Sequence, residues 1–63
     1  MKKRQLVRHL ERHGCRLLRQ GRRHEWWESS AGDRSAVPRH NDISGYLARK
    51  ICRDLGVEIP GEL

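Results

Sequence analysis

Between two stretches of helical periodicity, turn-forming residues cut the chain so often that only short strands fit. The cuts are Gly14, Gly21-Arg22-Arg23, Ser29-Ser30-Ala31-Gly32-Asp33-Arg34 and Pro38. The intervening segments read as strands over Cys15–Gln20, His24–Glu28 and Ser35–Val37. Leu17-Leu18 lies between arginines in the first, and Trp26-Trp27 suits the pleated backbone of the second. Pro38 has no N–H to give to a ladder and fits a strand end. Three short strands joined by tight turns make an antiparallel meander.

The flanking stretches read as helices. From Lys3 to His13, Leu6, Val7 and Leu10 share one side while Arg8, Glu11 and Arg12 face away, and Gly14 supplies the stop. Ser44 is an N-cap for a second helix running to Leu55, with Asp42 as the other candidate. Leu47, Ile51 and Leu55 repeat every four residues, and Gly56 ends the helix before a tail broken by Pro60-Gly61. The expectation is a single α+β domain over residues 1–63 in the order α-β-β-β-α. Two helices on one face cover a three-stranded antiparallel sheet whose other face meets water. Leu6, Val7, Leu10, Leu47, Ile51 and Leu55 should then meet strand residues such as Leu17 and Val37. This order is the topology of the double-stranded RNA-binding domain, and topology alone does not fix function.

Charge narrows the class of partner. Fourteen Lys and Arg against eight Asp and Glu give a net +6. A chain so small and basic is suited to a polyanion, nucleic acid above all, although an acidic protein partner or simple solubility would use the same charge. A membrane-spanning helix needs about 20 consecutive apolar residues, and no run here, such as Leu17-Leu18 or Trp26-Trp27, approaches that length. The basic start, Met1-Lys2-Lys3-Arg4-Gln5, lacks the apolar stretch of a secretory signal, so a cytoplasmic location and no membrane partner are expected. Cys15 and Cys52 fall within apolar patterns and read as free, buried thiols, and without a CxxC pair no zinc knuckle is expected.

Few residues carry chemistry. Neither GxGxxG nor GxxxxGK[ST] is present, and carboxylates are sparse among the arginines, which argues against nucleotide cradling and paired-acid hydrolysis. His9 and His13, four apart on the first helix, have a metal-compatible spacing but no accompanying carboxylate motif, and read as surface histidines. His24 opens the second strand directly after Arg22 and Arg23. Guanidinium groups can hold a phosphate there while an imidazole moves a proton near neutral pH, and the competing reading is a strand histidine packed on a tryptophan. His40 follows Pro38-Arg39, either approaching the open sheet face near His24 or serving as a loop residue before the helix cap. Trp26 and Trp27 alternate across the sheet, so one should be buried and the other exposed. An exposed tryptophan stacks on a base or fills a partner's pocket, and the sequence does not choose.

Taken in order, His13-Gly14-Cys15, Arg19-Gln20-Gly21-Arg22-Arg23-His24, Val37-Pro38-Arg39-His40, Ala48-Arg49-Lys50-Ile51 and Leu55-Gly56 resemble the HicA family of mRNA interferase toxins. The resemblance runs from about Gln5 to Val57, and its specificity lies in the order and spacing of motifs that are individually weak. It implies a double-stranded-RNA-binding-domain-like fold and a single catalytic histidine in the turn motif, which falls on His24. It also implies mRNA cleavage and neutralisation by a HicB-type antitoxin. Arg22, Arg23, Arg39 and His40 are the expected RNA-binding residues, with no metal and no cofactor. A non-catalytic basic RNA-binding module would use the same surface. A helix-turn-helix DNA binder suits the chain least, because strand-like sequence separates its helices.

Overall fold

The computed structural model describes residues 1–61. It contains α1 (Lys3–Arg12), β1 (Arg16–Gln20), β2 (His24–Glu28), β3 (Arg34–Pro38) and α2 (Gly45–Leu55). The expected α-β-β-β-α order is therefore the observed one, with boundaries shifted by a residue at several ends.

Each helix forms because one side is apolar and its ends are satisfied. Leu6 and Leu10, one turn apart on α1, are fully buried, and so are Ala48 and Cys52 on α2, with Ile51 and Leu55 nearly so. At the start of α1, the Lys3 N–H donates to the Asn41 carbonyl (2.8 Å), and Gln5 Oε1 accepts from the Lys2 N–H (3.0 Å). Ser44 caps α2, its Oγ accepting from the Leu47 N–H at 3.2 Å. Asp42, the other candidate, instead holds Lys2 Nζ at 3.0 Å. Both helices close in a Schellman motif. Cys15 N–H reaches the Leu10 carbonyl and Val57 N–H the Cys52 carbonyl, each at 2.9 Å. The glycines between, Gly14 and Gly56, sit at φ +83° and +68°, where a side chain would be strained.

The sheet is an antiparallel meander in the order β1-β2-β3. β2 and β3 pair without interruption, from His24 opposite Pro38 to Glu28 opposite Arg34. β1 and β2 slip register between Leu17 and Arg19, so Leu18 forms a bulge. Trp27 and Val37 join the same buried cluster as Leu6, Leu10, Ala48, Ile51, Cys52 and Leu55. Both helices therefore lie against the sheet face that carries Glu25, Trp27, Ser35 and Val37. Alternation puts His24, Trp26 and Glu28 on the other face, which neither helix covers.

One expected core residue is not in the core. Leu17 is 42% exposed and every residue of β1 is open to solvent. β1 is an edge strand that the helices leave open, the shared core runs through β2 and β3, and Cys15, just ahead of β1, belongs to the buried cluster. Ile43, absent from the sequence expectation, is 1% exposed and belongs to the core. Its N–H donates to the Met1 carbonyl at 2.8 Å, so residues 1–3 lie antiparallel to the segment before α2. Cys15 and Cys52 are free and buried. Burial pushes both thiols up, with Cys15 adding to the effect at Cys52.

Candidate functional site

The tight link between β1 and β2 sets the position of His24. Gly21 N–H donates to the His24 carbonyl at 2.7 Å, closing the chain around Arg22 and Arg23. A Cβ at residue 21 would stand 3.0 Å from that carbonyl oxygen, so a side chain there would have to push the turn apart by a few tenths of an ångström. Neither arginine adopts a positive φ, so the link is not one of the primed two-residue hairpin turns. A clamp comes from across the sheet: Arg39 Nη1 donates to the Gly21 carbonyl at 3.1 Å. His24 pairs with Pro38, so the end of β3 and the residues after it lie beside this turn.

Arg22, Arg23, His24 and Arg39 thus gather at one end of the sheet, all exposed. His40 is exposed two residues beyond Pro38, and among the described residues no hydrogen bond joins it to His24. Four cationic or imidazole side chains around one turn can hold a phosphate and move a proton at a group beside it.

Beneath this end, on the helix side, lies an ion pair that the sequence did not announce. Lys3 Nζ meets Glu25 Oε2 at 2.6 Å, with side chains only 18% and 11% exposed, and Trp27 Nε1 donates to Glu25 Oε1 at 3.2 Å. Burial opposes ionisation of Glu25. The bonds from Lys3 and Trp27, with the Lys3 and Arg39 charges, outweigh it and hold the carboxyl below its usual range. Both oxygens are engaged away from His24, so this carboxylate is a support rather than a reactant. The one available sequence signal was a charged residue two positions from a tryptophan, sharing its face.

On the open face, Glu28 binds Arg16 from β1 (2.8 Å) and Arg34 from β3 (3.1 Å), tying all three strands together. Those two arginines hold its carboxyl below the usual range. Trp27 is 3% exposed, whereas Trp26 is half-buried on the open side, which assigns the pair. Arg19 lies over the Trp26 ring, its guanidinium carbon 6.0 Å from the centroid.

The helix histidines are engaged elsewhere. His9 Nε2 lies 2.6 Å from the Glu58 carbonyl, His13 Nδ1 lies 2.9 Å from the His9 carbonyl, and the two ring centroids are 4.3 Å apart. Among the described residues, no group of three His, Cys, Asp or Glu could hold a metal ion.

A small basic α-β-β-β-α domain with one sheet face open falls in the class of double-stranded-RNA-binding-domain-like folds. Within that class, residues 4–57 match the family described as "HicA toxin of bacterial toxin-antitoxin", and the chain belongs to the HicA toxin family. It is accordingly a toxin of a toxin–antitoxin system, a role that carries an antitoxin partner with it. No curated protein and no solved structure matches the chain. Among the described residues, no helix is long and apolar enough to cross a membrane.

Proposed function

We propose that this toxin is an mRNA-cleaving endoribonuclease acting in the cytoplasm, with His24 as its catalytic histidine. The observation that carries the reading is the placement of His24. It is exposed on the uncovered sheet face, at the end where Arg22, Arg23 and Arg39 converge, in a chain that matches the HicA family along most of its length.

In this mechanism the neutral imidazole of His24 removes the proton from a ribose 2′-OH. The freed oxygen attacks the adjacent phosphorus, and the bond to the 5′-oxygen breaks. Arg22, Arg23 and Arg39 offset the charge that builds on the phosphoryl oxygens. The 5′-oxygen takes a proton from water or from His40, leaving a 2′,3′-cyclic phosphate and a 5′-OH end. The route draws on side chains alone and needs no cofactor. A single positioned base contributes about 10²–10⁴-fold, so turnover is modest.

The partner in this reading is a HicB-type antitoxin that covers the open face and occludes His24. A cognate antitoxin at saturation should abolish RNA cleavage, and unchanged cleavage would remove that part of the proposal.

The test of the nuclease is induced expression of the unaltered toxin and of His24→Ala in bacteria, matched for folded protein, with total RNA examined. Growth arrest and mRNA loss with the unaltered toxin alone support the proposal. Equal toxicity from both moves catalysis away from His24. Intact RNA that stays bound, with salt-sensitive affinity, would make the chain a non-catalytic RNA-binding module instead.

A further inference from the structure

We propose that Trp26, with Leu18, Arg19 and Arg34 around it, is a stacking site for one unpaired base of a single-stranded RNA. The proposal rests on the reading of this toxin as an RNA-cleaving enzyme and specifies how its substrate is seated.

Three observations carry it. The first is which tryptophan is available. Trp27 is sealed under the helices with its N–H bound to Glu25, whereas Trp26 keeps part of its ring in solvent on the opposite side. The second is the ring's surroundings. Leu18, Arg19, Trp26 and Arg34 line an open depression on the free sheet face, an apolar floor between two guanidinium groups. The register explains why they meet. Arg19 is the cross-strand partner of Trp26, and the bulge brings Leu18 to the same place. Arg34 enters from β3, held by Glu28. The third is position. Trp26 and His24 are alternate residues of one strand on one face, about 7 Å apart along it. A base on Trp26 therefore sits next to the phosphate that His24 and its arginines reach.

A flat aromatic floor flanked by cations on an open sheet suits a nucleotide of a single strand. The ring takes the base and the guanidinium groups take the phosphates to either side. Arg19 lies at the outer limit of cation–π range over Trp26, a loose contact that yields to an incoming base. With a net charge of +6 on the whole chain, the complement is a polyanion. Double-stranded RNA has no unstacked base to offer and should not use this site.

The probe is a short mixed-sequence oligonucleotide with 2′-O-methyl riboses, which cannot undergo 2′-OH attack, added to the intact toxin. Stacking should quench Trp26 emission while buried Trp27 remains as an unchanged background. Trp26→Ala should raise the Kd about 5- to 150-fold, the equivalent of losing one base stack. Trp26→Phe should restore most of the affinity in a folded protein. The salt slope should be the same in both variants, because the ring carries no charge, whereas Arg19→Gln should flatten it by about 0.7 for one lost phosphate contact.

Unquenched emission, or an unchanged Kd in Trp26→Ala, would overturn the site. So would an effect of Trp26→Ala confined to a protein partner. Failure of the nuclease reading looks different: ordinary RNA stays intact while the oligonucleotide still quenches Trp26 and Trp26→Ala still weakens it, which leaves the base site standing. Cleavage that depends on His24 but keeps its KM in Trp26→Ala does the reverse.

Discussion

The two faces of the β-sheet are built from almost the same residue types and do opposite things with them. Each carries one tryptophan and one glutamate of β2. On the helix side, Glu25 is bound by one lysine and the Trp27 indole, nearly out of water, and its charge is consumed there. On the open side, Glu28 is shared by two arginines, so the trio keeps a net positive charge, and Trp26 leaves part of its ring in solvent. Neutralisation serves packing on one face, and surplus cation is left available to an anionic ligand on the other. The residue type matters less than whether its partner leaves anything over.

Five variants sharpen or break that contrast. The largest effect belongs to the open face and to activity. His24→Ala should lower the rate of RNA cleavage about 10²–10⁴-fold in a purified assay. Its melting temperature should stay that of the unaltered protein, because the side chain is exposed. A large drop in stability would mean that His24 is part of the scaffold.

The next belongs to the covered face and to stability. Leu10→Ala should cost about 2–5 kcal/mol by denaturant unfolding, since Leu10 is completely buried between helix and sheet. Such a loss is a large share of what a domain this small can hold.

Lys3→Met should cost about 1–3 kcal/mol, less than a fully enclosed pair because both side chains keep some contact with water. The same pair predicts a pH signature. The Glu25 carboxyl titrates lower in the folded chain than in the unfolded one. Its contribution is therefore complete above the ordinary carboxylate pKa and is lost as pH falls through the lowered folded value. Glu25→Gln should flatten the acid limb of a stability–pH profile and leave its neutral and alkaline parts parallel to the original. An unchanged acid limb would mean that the carboxylate gains nothing from folding.

Leu17→Ser is the smallest, expected within about 0.5 kcal/mol despite replacing a leucine, because the edge strand leaves that side chain in water. A loss of the Leu10→Ala size would restore Leu17 to the core and redraw which face of β1 is covered.

The element order was legible because glycine, proline and periodicity are local signals, and Gly14, Ser44, Pro38 and Gly56 mark the boundaries they suggest. Which side of β2 faces the helices was not legible. His24-Glu25-Trp26-Trp27-Glu28 puts an aromatic and an acid on each side, so alternation yields two equal patterns. What the helix side adds is Lys3, a distant residue whose pairing makes burial of Glu25 tolerable. Leu17 misled for a related reason: hydrophobicity reports what a residue favours, while coverage depends on how far the helices extend across the sheet. For the site, the turn that holds His24 was visible in Gly21-Arg22-Arg23. The Arg39 clamp on Gly21 was not, since it joins residues 18 apart in sequence.

The Leu18 bulge also bears on what happens between molecules. A flat, regular edge strand carrying two adjacent leucines would template a strand from a neighbouring copy and begin an aggregate. A bulge kinks the edge, and Arg16 and Arg19 on either side set like charges against any incoming copy. Deleting residue 18 would straighten the ladder while Arg16, Leu17, Arg19 and Gln20 keep their partners on β2, so that the same chain would become prone to edge-to-edge association. One extra residue in one strand thus protects a small, highly charged toxin from precipitating with itself.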